Sequence, residues 1–420
     1  MISKTTLPNG VSILTEEIPY FRSVAIGIWV AVGSRDEADE ISGTSHFIEH
    51  LLFKGTKHRT AKQIAEALDA VGGQLNAFTT KEYTCYYARV LDEHFDLAAD
   101  ILEDMLFNSL FAPEDIERER NVIIEEIKMY EDTPDELVHD VFANALWKGH
   151  ALGRPVIGSA EAVASLSRES ILDFYAKHYR HGQMIVAVAG NIKHDRVVDK
   201  LAPLFTQLNG PCLPRKLERP VPQQEITCRQ KDTEQVHVCV GTQGLRLDDD
   251  QVYVLQVINT VLGGGLSSRL FQEIREQRGL VYSVYSYHAS YHDTGLFAIY
   301  AGLSKENVNL VLDLVTRELY KIRSEGINEE ELRRAKDQLK GNFLLSLESV
   351  NARMSRLGKS ELYLGKVVPP EEVVQRIEEV TAEQVRSLAG AMFRADKLAM
   401  ATIGSWCDVM AWKEAVSRLE

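Results

Sequence analysis

The chain has 420 residues, 45% of them hydrophobic and 26% charged, which is ordinary globular usage and enough for two or three domains with large cores. A formal net charge of −14 argues against nucleic acid and anionic membrane as partners and slightly favours cationic substrates. The five cysteines are odd in number and scattered, with no C-x-x-C pair, so neither a disulfide framework nor a cysteine zinc site is indicated, and a reducing interior fits.

Met1 to Glu17 has an early Asn9-Gly10 turn and no apolar core behind basic residues, so no signal peptide is expected. The alternation from Ser23 to Val30 predicts a buried strand, and the apolar stretch around it is only about half of a membrane span. Ile41 to Lys54 is helix-compatible. Ser42, Gly43, Thr44 and Ser45 offer caps, Phe47, Leu51 and Leu52 supply apolar positions, and Gly55 is a stop. Inside it lies His46-Phe47-Ile48-Glu49-His50. Histidines four apart share a helix face, so both imidazoles can reach one tetrahedral metal ion. Glu49, three residues after His46, can sit beside that ion without ligating it and take a proton from a metal-bound water. This is a hydrolase's geometry.

Gly72 to Tyr87 reads as a turn and then a β-prone, aromatic strand. A helix is predicted from about Pro113 to Asp132, with Pro113 at its first position and Glu114 and Asp115 at its positive end. A catalytic zinc needs a third protein ligand. Glu119 and Glu126 share a face of this helix, and helix geometry alone does not choose between them. Glu117-Arg118-Glu119-Arg120 also suits a solvated, salt-bridged face. His139, His150, His178 and His181 lack metal spacing and read as surface or capping residues.

The pattern then repeats. Val24 to Glu37 has a counterpart in Val236 to Asp248, and each is followed by a helix. Asn76 to Asn108 corresponds to Tyr282 to Ile322, and the acidic-started helix at Pro113 to one at Asn328. The strands Met184 to Ala189 and Leu398 to Ile403 close at Gly190 and Gly404. The fold class expected is α+β, with two tandem homologous α/β-sandwich halves, each an antiparallel-rich sheet covered by helices. The domains are a zinc-binding catalytic domain over 1–210, a proline-rich linker over 211–224 and a homologous domain over 225–420. Where the first half has its histidines, the second has Tyr253 to Leu262 followed by Gly263-Gly264-Gly265. No histidine or glutamate is there, and the glycines lack a phosphate loop's spacing and lysine. One zinc per chain follows.

Taken together, these residues resemble the inverted zincins, the group of pitrilysin, insulin-degrading enzyme and the mitochondrial processing peptidase. The H-x-x-E-H order is followed 76 residues after His50 by Glu126, and Arg118 to Glu126 is similar to that family's second zinc helix. The resemblance implies Glu126 as third ligand and Glu119 as the acid that orients the site. It likens Asn76, Ala77 and Phe78 to an edge strand that pairs with extended substrate. It likens Arg275 and Tyr282 to the pair that holds the substrate carbonyl. The activity implied is that of a Zn2+ metalloendopeptidase acting on unfolded peptides. The length resembles the short, processing-peptidase-like branch, most similar to bacterial cytoplasmic enzymes that act as homodimers with active sites shared around a chamber. Non-catalytic partner or core subunits also occur among such relatives. A subunit of that kind is expected to lack one of Glu49, Glu126, Arg275 or Tyr282, and all four are present here.

Overall fold

Strands Ser23–Val30 and Met184–Gly190 are buried at nearly every position, and a strand without a polar face must be covered on both sides. The computed structural model describes residues 1–179, 184–208, 215 and 217–420. His181, Cys212 and the join's Pro211 and Pro214 lie outside these residues. The chain forms two compact units, one of Met1–Lys128, Pro155–Lys216 and Ser346–Val367, the other of Met129–Arg154, Leu217–Leu345 and Val368–Glu420. Each unit thus takes a helical segment from the other half of the sequence.

The first unit holds a six-stranded sheet of β1 (Ile2–Thr6), β2 (Ser12–Glu17), β3 (Ser23–Val30), β4 (Gln74–Thr79), β5 (Thr84–Leu91) and β6 (Met184–Gly190), in the order β1-β2-β6-β3-β5-β4. Only β2 and β6 pair in parallel. Val24, Ile26, Ile28 and Val30 point to one face. There they meet apolar side chains of α1 (Thr44–Leu52), α2 (Ala61–Asp69), α3 (Phe95–Asn108) and α4 (Pro113–Glu131). Ala25 and Trp29 point to the other face, against Val350, Met354 and Leu357 of the helix Val350–Leu364.

Small residues let that helix sit close. A Cβ on Gly27 of β3 would lie 2.4 Å from Met354 Sδ, and one on Gly358 would lie 2.3 Å from the Trp29 ring. Each partner thus offers a glycine to the other's large side chain. The Glu16 carboxylate, buried on β2, pairs with Arg353 and with Arg356 of the same helix.

The second unit repeats the plan. Its sheet contains β7 (Ile226–Gln230), β8 (Val236–Gly244), β9 (Val281–Ser290), β10 (Gly295–Leu303) and β11 (Ala399–Gly404), in the order β7-β11-β8-β10-β9, again with one parallel pair, β7 with β11. This matches β2-β6-β3-β5-β4 strand for strand, so the α+β architecture of two like halves holds. One face is covered by the unit's own helices. The other is covered by α5 (Pro134–Leu146), whose Leu137, Val138, Phe142 and Leu146 pack with Cys239, Ala298, Tyr300 and Ala401. His139 of α5 bridges the Tyr287 and Tyr285 hydroxyls at 2.7 and 3.0 Å. It is therefore neither a cap nor a free surface histidine. Each closing strand ends in a glycine with φ near +137° or +138° (Gly190, Gly404), where a side chain would be strained. A helix follows each, His194–Phe205 and Val409–Val416.

One expectation is overturned. Cys228 on β7 and Cys407 just after β11 form a disulfide across 179 residues of sequence. The pair is close because β7 and β11 are neighbours, which spacing could not reveal, and the cysteine argument for a reducing interior falls with it. Cys85 and Cys239 are free and buried. No described helix is long and apolar enough to cross a membrane.

The glycine interlock makes a testable contrast. Gly358→Val should destabilise the protein by about 1–3 kcal/mol through overpacking against Trp29. Gly341→Ala, on the helix Glu329–Ser346 with open space around it, should stabilise by about 0.5–1 kcal/mol. Urea unfolding of both variants checks this, and equal effects would contradict the packing account.

Candidate metal centre

α1 packs Phe47, Ile48, Leu51 and Leu52 into the core of the first unit. His46 and His50 stand a turn apart on its other side, with ring centroids 4.7 Å from each other. The helix begins later than its sequence suggests, at Thr44, and its N-cap is Gly43 with φ +96° and no side-chain cap. The capping is done from upstream. Buried Glu37 accepts the N–H groups of Gly43 at 2.7 Å and Ser45 at 2.6 Å. A carboxylate suits the positive end of a helix. Sequence reading missed Glu37, though an acidic residue in the Gly33–Ser42 loop ahead of a histidine helix was its available signal.

α4 buries Ile116, Ile123 and Ile127 and brings both candidate glutamates to α1. They do different things there. Glu119, 2% exposed, takes the His50 Nδ1 at 3.1 Å on one oxygen and Lys54 Nζ at 2.9 Å on the other. A carboxylate can only accept, so Nδ1 carries the proton and the lone pair of His50 lies on Nε2. That Nε2 faces Glu126 Oε2 at 3.6 Å, and His46 Nε2 faces Glu126 Oε1 at 3.9 Å. One donor atom each from His46, His50 and Glu126 lies within 4.8 Å of the others. Ligands about 2.1 Å from a tetrahedral zinc are about 3.4 Å apart, so this set fits a small cation and leaves one side open. Burial, and then His50, push His46 down to about 3, which keeps the imidazole neutral as a ligand must be.

Glu49 is not one of this group of three. Its Oε2 accepts the Thr79 hydroxyl at 2.5 Å. Burial raises its carboxyl above the usual range, while the Thr79 hydrogen bond and His50 pull the other way. Thr79 ends β4, the edge strand, which among the described residues pairs only with β5 (Asn76↔Tyr87, Ala77↔Tyr86, Phe78↔Cys85). Ala77 packs on the core that includes α1. Phe78 turns to the opposite face beside Trp29 and Tyr83. Asn76 is exposed, and its Oδ1 meets the Ala77 N–H at 2.8 Å. Between α2 and β4 lies a cavity of about 530 Å³, walled by Phe53, Ile64, Leu68, Leu75 and Tyr87.

Arg275 and Tyr282 belong to the second unit. Arg275 sits in a π-helical turn, Phe271–Glu276, that the sequence did not signal. Such turns re-aim side chains and are frequent at functional sites. Its guanidinium lies 4.8 Å from the Phe271 ring centre and 5.6 Å from that of Tyr282, whose side chain is largely exposed. His150 caps a short turn, its Nδ1 accepting the Leu152 N–H at 3.1 Å.

Residues 12–160 match the family model for insulinase (peptidase family M16), and residues 165–339 that for the peptidase M16 inactive domain. The uncharacterized zinc protease YmxG of Bacillus subtilis is 45% identical over 94% of this chain and 97% of its own. Zinc proteases of the same description from Streptomyces coelicolor and Rickettsia felis are 46% and 40% identical, each over 92% of this chain and over 86% and 94% of theirs. Among solved structures, the peptidase M16 inactive domain from Pseudomonas fluorescens matches with TM-score 0.90 at 22% identity, covering 97% of this chain and 98% of that one. A chain of complex III2 from Candida albicans matches with TM-score 0.86 at 20% identity, covering 100% of both. At such identities the structures speak for the fold alone.

The two glutamates should separate by titration. Glu126→Gln replaces one of the two carboxylate oxygens that face the histidines and removes its charge, and it should weaken Zn2+ binding far more than Glu119→Gln, for which about a 10- to 100-fold loss is expected. Competitive chelation measures both, and equal or reversed losses would overturn the order.

Proposed function

The chain belongs to the insulinase family, peptidase family M16, and from that premise we propose that it is a zinc-dependent endopeptidase acting on extended, unfolded peptides. The observation that carries the reading is the convergence of His46 Nε2, His50 Nε2 and Glu126, with Glu119 behind the site and Glu49 beside it. A zinc ion bound by these three would supply Lewis acidity, which brings the pKa of water towards 7.

The chain's own groups do the rest. His50 is held in its ligating tautomer by Glu119. Glu49 takes the proton of the attacking water and delivers it to the leaving amine, a transfer suited to a carboxyl that burial has raised. Substrate lies as an added strand along the free edge of β4, at Asn76, Ala77 and Phe78, and the neighbouring cavity receives one of its side chains. Arg275 and Tyr282 are the donors assigned to the carbonyl oxygen as negative charge develops on it. We place them in the site of a second copy of the chain, in a homodimer whose two sites are shared.

A non-catalytic subunit is the competing reading, since complex III2 chains share the fold. The complete set of Glu49, Glu126, Arg275 and Tyr282 favours catalysis.

Glu49→Gln should retain one zinc per chain and lose roughly 100-fold or more in turnover of a quenched unfolded peptide. Full turnover by a zinc-replete Gln variant would refute the base assignment. The shared site has its own test, in which a Glu49→Gln chain is mixed with an Arg275→Ala/Tyr282→Phe chain. In a mixed dimer one site carries both defects and the other neither, so about a quarter of wild-type activity should return on exchange. No recovery, with exchange shown independently, would refute sharing and leave the zinc chemistry standing.

A further inference from the structure

We propose that Thr79 is a positioning residue for the base, so that the strand receiving substrate also sets the orientation of Glu49. The inference rests on the peptidase reading above. A threonine hydroxyl has one proton to give, and Thr79 gives it to Glu49 Oε2 at 2.5 Å. The Thr79 backbone also hydrogen-bonds to this carboxylate, so hydroxyl and strand together hold its orientation. Strand alternation brings Thr79 there. Leu75, Ala77 and Thr79 share a face of β4, and Leu75 and Ala77 pack on the core to which α1 belongs.

Both ends of this hydrogen bond are tied to a single loop. The turn after β4 is closed by Thr80, whose N–H and hydroxyl both reach Tyr83 O, at 2.8 and 2.9 Å. Residues 33–35 are laid against that turn. Ser34 N–H donates to Thr80 O at 3.2 Å, Arg35 N–H to Lys81 O at 2.7 Å, and the buried Arg35 side chain pairs with buried Glu82 at 2.7 Å. A Cβ on Gly33 would lie 2.2 Å from Thr80 O, so only glycine permits the approach. Two residues on, Glu37 of the same loop holds the N-terminus of α1. The loop therefore clamps the strand end bearing Thr79 and the helix bearing Glu49 at once. The spacing of the two backbone segments that carry hydroxyl and carboxylate is thus set by the loop.

The test compares Thr79→Val, which keeps the shape and loses the hydroxyl, with Thr79→Ser, which keeps the hydroxyl. The full-length, zinc-loaded chain is assayed on a quenched unfolded peptide. Thr79→Val should bind one zinc, unfold at the wild-type temperature and lose about 10- to 100-fold in kcat, as expected when a supporting partner of a catalytic group is removed. KM should stay within about threefold and Thr79→Ser should return kcat to within about threefold of wild type. Thr79→Ala carries the same expectation without a second methyl, should the valine disturb folding. A wild-type kcat in the Val and Ala variants, a change confined to KM, or a Ser variant no better than Val would overturn the inference alone. A zinc-loaded wild type that cleaves no unfolded peptide would overturn both this inference and the reading beneath it.

Discussion

Both histidines and Glu49 ride on one nine-residue helix, and buried carboxylates fix that helix at each end. Glu37 holds the N-terminal amides, and Glu119 holds His50 and Lys54 where the helix runs out. An isolated helix this short is marginal in water, so its direction comes from what grips it. A buried carboxylate is costly unless all its oxygens are answered. Here two oxygens meet amide donors and two meet an imidazole and an ammonium. That cost disfavours other placements of α1, and the donor atoms of His46, His50 and Glu126 are aligned as a consequence.

The platform beneath the helix follows from a different constraint. β3 and β6 are apolar on both faces, and the helices of the first sequence half cover only one of them. The helix Val350–Leu364 covers the other in the first unit, as α5 does in the second. A strand such as Ser23–Val30 is a buried run only because both layers exist. The glycine interlock and the Glu16 pairs with Arg353 and Arg356 specify which helix arrives and in what register. Edge strand β4 escapes this double burial, which leaves its outer side open for another strand.

Electrostatics divide the acidic groups by environment. Glu119 is buried and paired. Glu126 is partly exposed and faces two imidazole nitrogens. Glu49 is half-buried and raised by burial. Three carboxyl groups within two helices thus occupy three separate environments without any difference in their own chemistry. The second unit has the same sheet order but no such acidic and imidazole set at the corresponding helix Val252–Gly263, so the repeated fold carries one candidate metal centre among the described residues.

Much of this was legible in the residues themselves. Local periodicity and composition determined that His46 and His50 share a face, that Pro113 starts a helix, that the stretch from Gly72 to Tyr87 is β-prone and that the pattern recurs, because these depend on spacings of a few residues. The turn that splits that stretch into β4 and β5 was not foreseen. Choosing between Glu119 and Glu126 required the second helix to be placed against the first. Glu37, Lys54 and Thr79 stayed invisible because their partners are reached only by packing, although the first two lie within nine residues of the histidine pair. The Cys228–Cys407 pair, the exchanged helices and the π-turn at Arg275 join or distort segments by tertiary contact. The sequence by itself determined which chemistry the chain has to offer, since residue type and helical period are local properties. Only the tertiary structure decided which oxygen meets which nitrogen, because that depends on contacts such as that of His50 with Glu119, 69 positions apart in the chain.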